Sequence, residues 1–544
     1  MRIGPLLILC LVGFFSCTKE KKAAPGTDVT NTAKPEDNRF TPVVLTPQGA
    51  LDEPMMFQVL KDGTALIIER KGGFKKFNPD TKTVTLIASI PVYSDNEQGL
   101  IGLAVDPGFE KNHWIYLQYA PAEKSVFRLE RYELASDSLV RDSGKILLEI
   151  PVDREHTNHT GGGTAWDADG NLYLTVGNNT ANGLLAQTDE RPGRERYDDQ
   201  RGASNTNDLR GKILRIHPEP DGTYSIPKGN LFPPGTPKTR PEIYTMGHRN
   251  VWRVSVDSKT GWIYWGEIGP DQDQDTETGP RGYDEQNQAK KPGFFGWPYF
   301  IADNQPIPKY DYANGRVGNK LDPNKPVNTS RNNTGLTELP PAQPALIYYP
   351  YAASEKFPLV GSSSRCAIGG PVYHRADFEN PERPFPGYYE NKWLIADYSR
   401  FWIMAVTLDE DGNYIGMERF VPEYHPVQPL DTKFGPEGDF YVLEYGSNPS
   451  RSSQESKLVR IEYHAGNRKP VVVASASREG GAVPLKVTLS AAGTKDYDDD
   501  ELTYEWEVVS QDGSTQMFTG FNPVVTFDKP GVYNAILTVK DAGG

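Results

Sequence analysis

Apolar and polar positions alternate in short runs along most of the chain, and many runs follow an acidic turn that carries glycine. "VLKDGTALII" (59–68), "WDADGNLYLTVG" (166–177), "SVDSKTGWIYWGEIG" (255–269), "TLDEDGNYIG" (407–416) and "FGPEGDFYVLEYG" (434–446) share this form. Period-two alternation predicts strands with one buried face, and a glycine-bearing acidic turn between two of them predicts a hairpin. Imperfect repetition of one hairpin phrase predicts a β-propeller, whose four-stranded blades bury their faces only against one another. The repeats fall within 41–463, a span long enough to carry extended loops as well as blades. After "RIEYHAGNRKP" (460–470) the pattern changes, which marks a second domain over 467–544.

Composition agrees with an all-β protein. The 52 glycines, 45 prolines and 28 tyrosines suit many turns between aromatic-rich strands. A net charge of −14 argues against general binding to nucleic acid, whose phosphates would be repelled. At the start, "MRIGPLLILCLVGFFS" has one basic residue and an apolar run too short to span a bilayer, followed by Cys17 and a polar stretch. This resembles a bacterial lipoprotein signal: a signal peptide at 1–16, lipidation of Cys17, and a flexible tether over 17–40. The expected location is the cell envelope, with only the lipid anchor touching the membrane, on the periplasmic or outer-membrane surface. Cys10 would leave with the signal, so Cys366 remains without a disulfide partner.

Candidate chemistry begins at "EHTNHTGGGTAW" (155–166), where His156 and His159 precede three glycines. An imidazole titrates near neutral pH and suits proton abstraction. Three glycines permit close approach to the strand end, and the family resemblance set out below implies that a sugar and a planar cofactor approach there.

"DNEQGLIGLAVDPGFEKNHWIYLQYAP" (95–121), "NHTGGGTAWDADGNLYLTVGN" (158–178), "NTNDLRGKILRIHPE" (205–219) and "PEIYTMGHRNVWRVSVD" (241–257) resemble the glucose/sorbosone dehydrogenase family. So do "GEIGPD" (266–271), "GFFGWPYF" (293–300), "SRCAIGGPVYH" (364–374) and "NKWLIADYSR" (391–400), all in the same order. The resemblance implies a six-bladed propeller that uses pyrroloquinoline quinone (PQQ) and calcium to oxidise a sugar or related alcohol. It implies that His159 is the general base, that Arg249 and Asn250 lie beside the quinone, and that Arg249 also serves catalysis. It places Glu97 and Gln98 at the substrate, Gly269 and Pro270 as carbonyl ligands of catalytic calcium, and Asp284 and Glu285 at structural calcium. His156 falls outside the motif and reads as a loop residue.

The chain departs from the best-understood soluble members of the family. Ser399 and Arg400 stand near a cofactor-binding Lys position, Gln428 and Leu430 occupy two Arg positions, and Asn178 replaces the Asp that orients the base. Arg400, with Lys433 or Arg365, is the expected compensation for the lost cationic partners. With no Cys-x-x-Cys-His haem motif in the sequence, electrons would pass to an external acceptor, a cytochrome or quinone.

The terminal stretch, with "DYDDDELTYEW" and "KPGVYNAILTVKD", resembles a PKD domain and implies an immunoglobulin-like sandwich acting as spacer or weak binding module. Asp496, Asp498 and Asp500 have a spacing that suits calcium, but the EF-hand glycine is absent, and a solvated acidic turn is the preferred reading. Two other function classes stay open: a non-catalytic glycan-binding propeller and a calcium-dependent lactonase-type hydrolase.

Overall fold

A computed structural model describes residues 33–135, 137–155, 158–180, 188–379, 381–447 and 454–543. The signal segment, Cys17 and His156 lie outside the described residues. The chain divides into Asn31–His464 and a second unit containing Ala465–Gly544.

The first unit is a six-bladed propeller. Its blades open on strands Pro54–Val59, Leu100–Val105, Gly161–Trp166, Val251–Val256, Ala367–Ile368 and Pro429–Phe434, and these six strands touch in a closed ring. Five sheets are four-stranded and antiparallel; the third blade is extended by Tyr224–Ser225 and by the parallel strand Gly293–Phe294. Four of the five repeated phrases form the hairpin between the first and second strands of a blade. The fifth, "TLDEDGNYIG", joins the third and fourth strands of blade five.

The ring is closed by strand Phe40–Val44, which pairs antiparallel with Lys457–Tyr463 and completes the last blade. Closure ties the start of the propeller chain into its last blade, as the outermost strand of that sheet. Phe40 seals it, packing edge-on against Phe385, Tyr389 and Phe420 at 5.4–5.7 Å between centroids.

The triple glycine serves this ring, which corrects the expectation that it opens space for substrate and cofactor. A Cβ on Gly162 would lie 2.9 Å from Ile101 O of the preceding blade, and one on Gly163 would lie 2.9 Å from Val254 N of the following blade. Gly162 also holds φ at +115°. The glycines let three inner strands approach one another.

The second unit contains two three-stranded sheets, one ordered Ser475–Ala476, Leu485–Ser490, Val524–Phe527 and the other Thr515–Thr519, Thr503–Ser510, Tyr533–Lys540. Val487, Leu489, Trp506, Val508 and Val525 form its core. The carboxylate of Asp498 accepts from Arg468 N–H at 2.6 Å and from its Nε at 2.9 Å, and Asp496 Oδ1 accepts the Asp498 N–H at 2.8 Å. The acidic run is thus an internally bonded turn.

Candidate active site

The antiparallel pairing of Gly161–Trp166 with Leu172–Val176 brings the segment before one strand opposite the segment after the other. His159 and Asn178 meet there. His159 Nδ1 lies 2.8 Å from Asn178 Oδ1. An amide oxygen only accepts, so Nδ1 carries the proton and Nε2 keeps its lone pair. Asn178 Nδ2 in turn donates to Asp199 Oδ1 at 2.6 Å. The negative charge expected to be missing at Asn178 therefore stands one hydrogen bond further back. Asp199 was not foreseen; it lies 21 residues beyond Asn178 in the short turn Asp199–Arg201, and no spacing marks it.

His159 is buried and held at φ +64°, a conformation uncommon for a non-glycine residue. Its N–H donates to Glu97 Oε2 at 2.8 Å, and its carbonyl accepts from Asn179 N–H at 3.3 Å. Burial, with the nearby Arg249 charge, pushes the imidazole pKa well below its ordinary value, against the opposing Asn178 bond. The ring is neutral at pH 7. Burial likewise raises the Glu97 carboxyl, which the His159 N–H and Arg249 partly offset. Glu97 thus anchors the backbone of His159 as well as lining the cavity.

Arg249 and Asn250 sit at the entry to blade four. Glu267 Oε1 accepts the Arg249 N–H at 2.7 Å, while Glu267 Oε2 lies 2.9 Å from His248 Nδ1. Asn250 Oδ1 accepts Gly161 N–H at 3.1 Å, tying this loop to the His159 loop. Of the Arg249 guanidinium, only Nη1 has a hydrogen-bond partner among the described residues, Ile268 O at 3.0 Å. The rest of its fork is available to a ligand. Beside these groups a cavity of about 590 Å³ is lined by Arg70, Glu97, Asn158, Asn250, Trp252 and Tyr398, among others.

Other expected site residues are placed differently. Gln98 is wholly buried, and its amide meets no partner among the described residues, so it sits beneath the cavity wall. Arg400 donates through Nε, Nη1 and Nη2 to the carbonyls of Ser364, Val360, Gly361, Pro350, Tyr351 and Ser363. Its donors are consumed by a loop, leaving none for a cofactor carboxylate. Lys433 is half-buried, 3.6 Å from Asp431, which also faces Arg253 at 3.4 Å. Leu430 lines the cavity.

The residues expected at catalytic calcium (Gly269, Pro270) and at structural calcium (Asp284, Glu285) are bonded within the protein. Asp284 and Glu285 are successive residues of strand Asp284–Ala289, so their side chains point to opposite faces. Glu285 accepts from Ala302 N–H at 2.6 Å and Asn287 Nδ2 at 3.0 Å, and burial beside Glu267 pushes its pKa up to about 8. Asp284 and the Pro270 carbonyl are both bound by Arg365, each at 2.6 Å. Gly269 N–H donates to Asp284 Oδ1 at 3.0 Å. Among the described residues no cluster of three or more His, Cys, Asp or Glu is arranged for a metal ion. These residues do not fit a calcium site. Arg249 and Asn250 suit the quinone end of PQQ better, since Arg249 Nε and Nη2 have no partner among the described residues and Asn250 lines the cavity.

Comparison with known proteins agrees with the architecture. Residues 51–317 match the family model for glucose/sorbosone dehydrogenase, and 467–544 match that for a PKD domain. Quinoprotein glucose dehydrogenase B of Acinetobacter calcoaceticus is 26% identical over 309 residues, covering 52% of this chain and 59% of its own. An aldose sugar dehydrogenase of Escherichia coli is 26% identical over 259 residues, covering 46% of this chain and 60% of its own. The chain thus spans about three-fifths of the length of these two relatives. The PQQ-bound structure of aldose sugar dehydrogenase from Streptomyces coelicolor superposes with a TM-score of 0.51 at 18% identity, covering 79% of this chain and 99% of that one, and shares the fold.

Proposed function

The chain carries a glucose/sorbosone dehydrogenase domain ahead of a PKD domain, and from that premise we propose that it oxidises an aldose or related alcohol, with PQQ as the bound electron acceptor. The observation that carries this reading is a neutral, oriented His159 and an Arg249 with unpartnered donors, whose chain neighbours Asn158 and Asn250 line one cavity.

Oxidation of a C–OH to a carbonyl removes one proton and one hydride. Nε2 of His159 takes the hydroxyl proton, since burial keeps the ring unprotonated and Asn178 fixes its tautomer. As the ring becomes cationic, the Asn178 amide, polarised by Asp199, stabilises the Nδ1–H. Arg249 and Asn250 would hold PQQ at its quinone oxygens, where a permanent cation favours accumulating negative charge. Bound there, PQQ would supply the hydride acceptor that no side chain provides. Asn158 and Tyr398 offer polar groups to sugar hydroxyls, and Trp252 an aromatic face. Electrons then leave to an external carrier. Cys17 would tether the enzyme to the cell envelope, with the PKD domain as a spacer.

The test is titration of the apo-protein with PQQ, followed by dye-linked oxidation of a panel of aldoses. Saturable PQQ binding with aldose-dependent dye reduction supports the reading. Folded protein that binds aldoses but no PQQ would favour the glycan-binding propeller, a reading motivated by the internal commitment of Arg365, Arg400 and Lys433.

A further inference from the structure

We propose that Arg365 is the resident cation of the Pro270 loop, so that this site assembles and receives its cofactor without a divalent metal. The PQQ part of this inference rests on the function proposed above.

Arg365 stands two residues before the inner strand Ala367–Ile368 of blade five and reaches into blade four. Its Nη1 donates to Asp284 Oδ1 and its Nη2 to Pro270 O, both at 2.6 Å. The pair is closed to solvent, with side-chain exposures of 1% for Arg365 and 0% for Asp284. Asp284 is satisfied on both oxygens, since Oδ1 also accepts Gly269 N–H and Oδ2 accepts Ala367 N–H at 2.8 Å. The guanidinium is 4.0 Å above the ring of Tyr351, whose hydroxyl bonds Asp271.

The backbone is shaped to admit this side chain. A Cβ on Gly282 would lie 1.8 Å from Pro270 O and 2.5 Å from Arg365 Nη2, so only glycine allows the contact. Charge gives the second argument. Asp284 is neutralised one-to-one by Arg365, and a divalent ion on the same carbonyl would face that guanidinium at contact distance. A planar, permanently charged fork in bidentate reach of a carboxylate and a carbonyl does the orienting work of a metal, and chelators do not remove it.

The experiment uses the full chain, prepared in EGTA, and measures PQQ affinity by absorbance titration with EGTA or with excess calcium. Thermal melting is followed in parallel by tryptophan emission, since all nine tryptophans except Trp506 lie in the propeller. For wild type, calcium is expected to change the PQQ Kd less than twofold and to leave the melting temperature in place. Arg365→Gln is expected to weaken PQQ binding at least tenfold and lower the melting temperature, with Arg365→Lys between the two. PQQ affinity that rises tenfold or more with calcium in wild type, or propeller melting that falls on chelation, would overturn the proposal. If PQQ binds under neither condition, the cofactor reading fails while melting still decides the role of Arg365. If Arg365→Gln does not fold, the wild-type arms decide.

Discussion

The loops around His159 and Pro270 both lie at strand ends beside the ring of inner strands, and both set a buried carboxylate behind a nitrogen base. They differ in what is left unsatisfied. Asp199 reaches the imidazole only through the neutral amide of Asn178, and Nε2 keeps a lone pair for a substrate. Asp284 is closed directly by Arg365, with every oxygen engaged. A reactive group has to be held firmly on one side and left open on the other, whereas the Arg365–Asp284 pair leaves neither carboxylate oxygen open, and its one unpartnered donor, Arg365 Nε, is buried out of reach of a ligand. The same contrast separates Arg249, with most of its fork free, from Arg400, with its donors spent on carbonyls.

The strongest way to break this contrast is at the base. His159→Gln is expected to lower aldose turnover about 10²–10⁴-fold while leaving PQQ affinity nearly unchanged. Asp199→Asn, which acts through Asn178, should cost about ten- to a hundredfold. Steady-state kinetics with a parallel PQQ titration tells them apart; equal losses would mean that the amide relay has been misjudged. Next comes the clamp. Arg400→Met should cost about 2–3 kcal/mol of folding stability, because charge-assisted bonds to part-buried carbonyls are lost. Chemical denaturation measures this, and PQQ affinity should move less than twofold. A large loss of affinity would return Arg400 to the cofactor site.

The smallest expected effect is a flat line. Because burial holds the His159 pKa well below 6.5, kcat/KM should show no loss of base function as pH falls from 8 through 6.5. The sign for stability is opposite. The unfolded chain takes up a proton near pH 6.5 that the buried ring refuses, so this residue's contribution to stability declines as pH drops below that value. A pH–rate profile that halves near 6.5 would show an imidazole open to water.

The fold was legible because hairpins repeat locally: the acidic-glycine turns and their flanking alternation lie within a dozen residues of each other, and chain order carried the blades. His159 could be singled out for the same reason, being attached to a motif. What escaped depends on contacts between distant segments. Asp199 sits behind Asn178 through a side-chain bond that leaves no periodic trace, and Arg365 meets Asp284 across 81 positions. Arg400 looked like a compensating cation because its charge is visible in the sequence, whereas the six carbonyls around it are not. The triple glycine was visible, but its purpose was not, since a glycine looks the same whether a ligand or a neighbouring strand comes close.

The closing strand has a mechanical consequence. Arg39 and His464 are neighbours, with His464 N–H donating to Arg39 O at 2.9 Å, and the register runs from Phe40 opposite Tyr463 to Val44 opposite Val459. The chain therefore enters and leaves the propeller at the same end of one antiparallel pair. Tension applied in opposite directions at those two points would load the bonds one rung at a time, as a zipper is loaded, instead of sharing the force along the strand as in shear. A latch that resists thermal opening through the packing of Phe40 would thus yield readily to a pull across its ends.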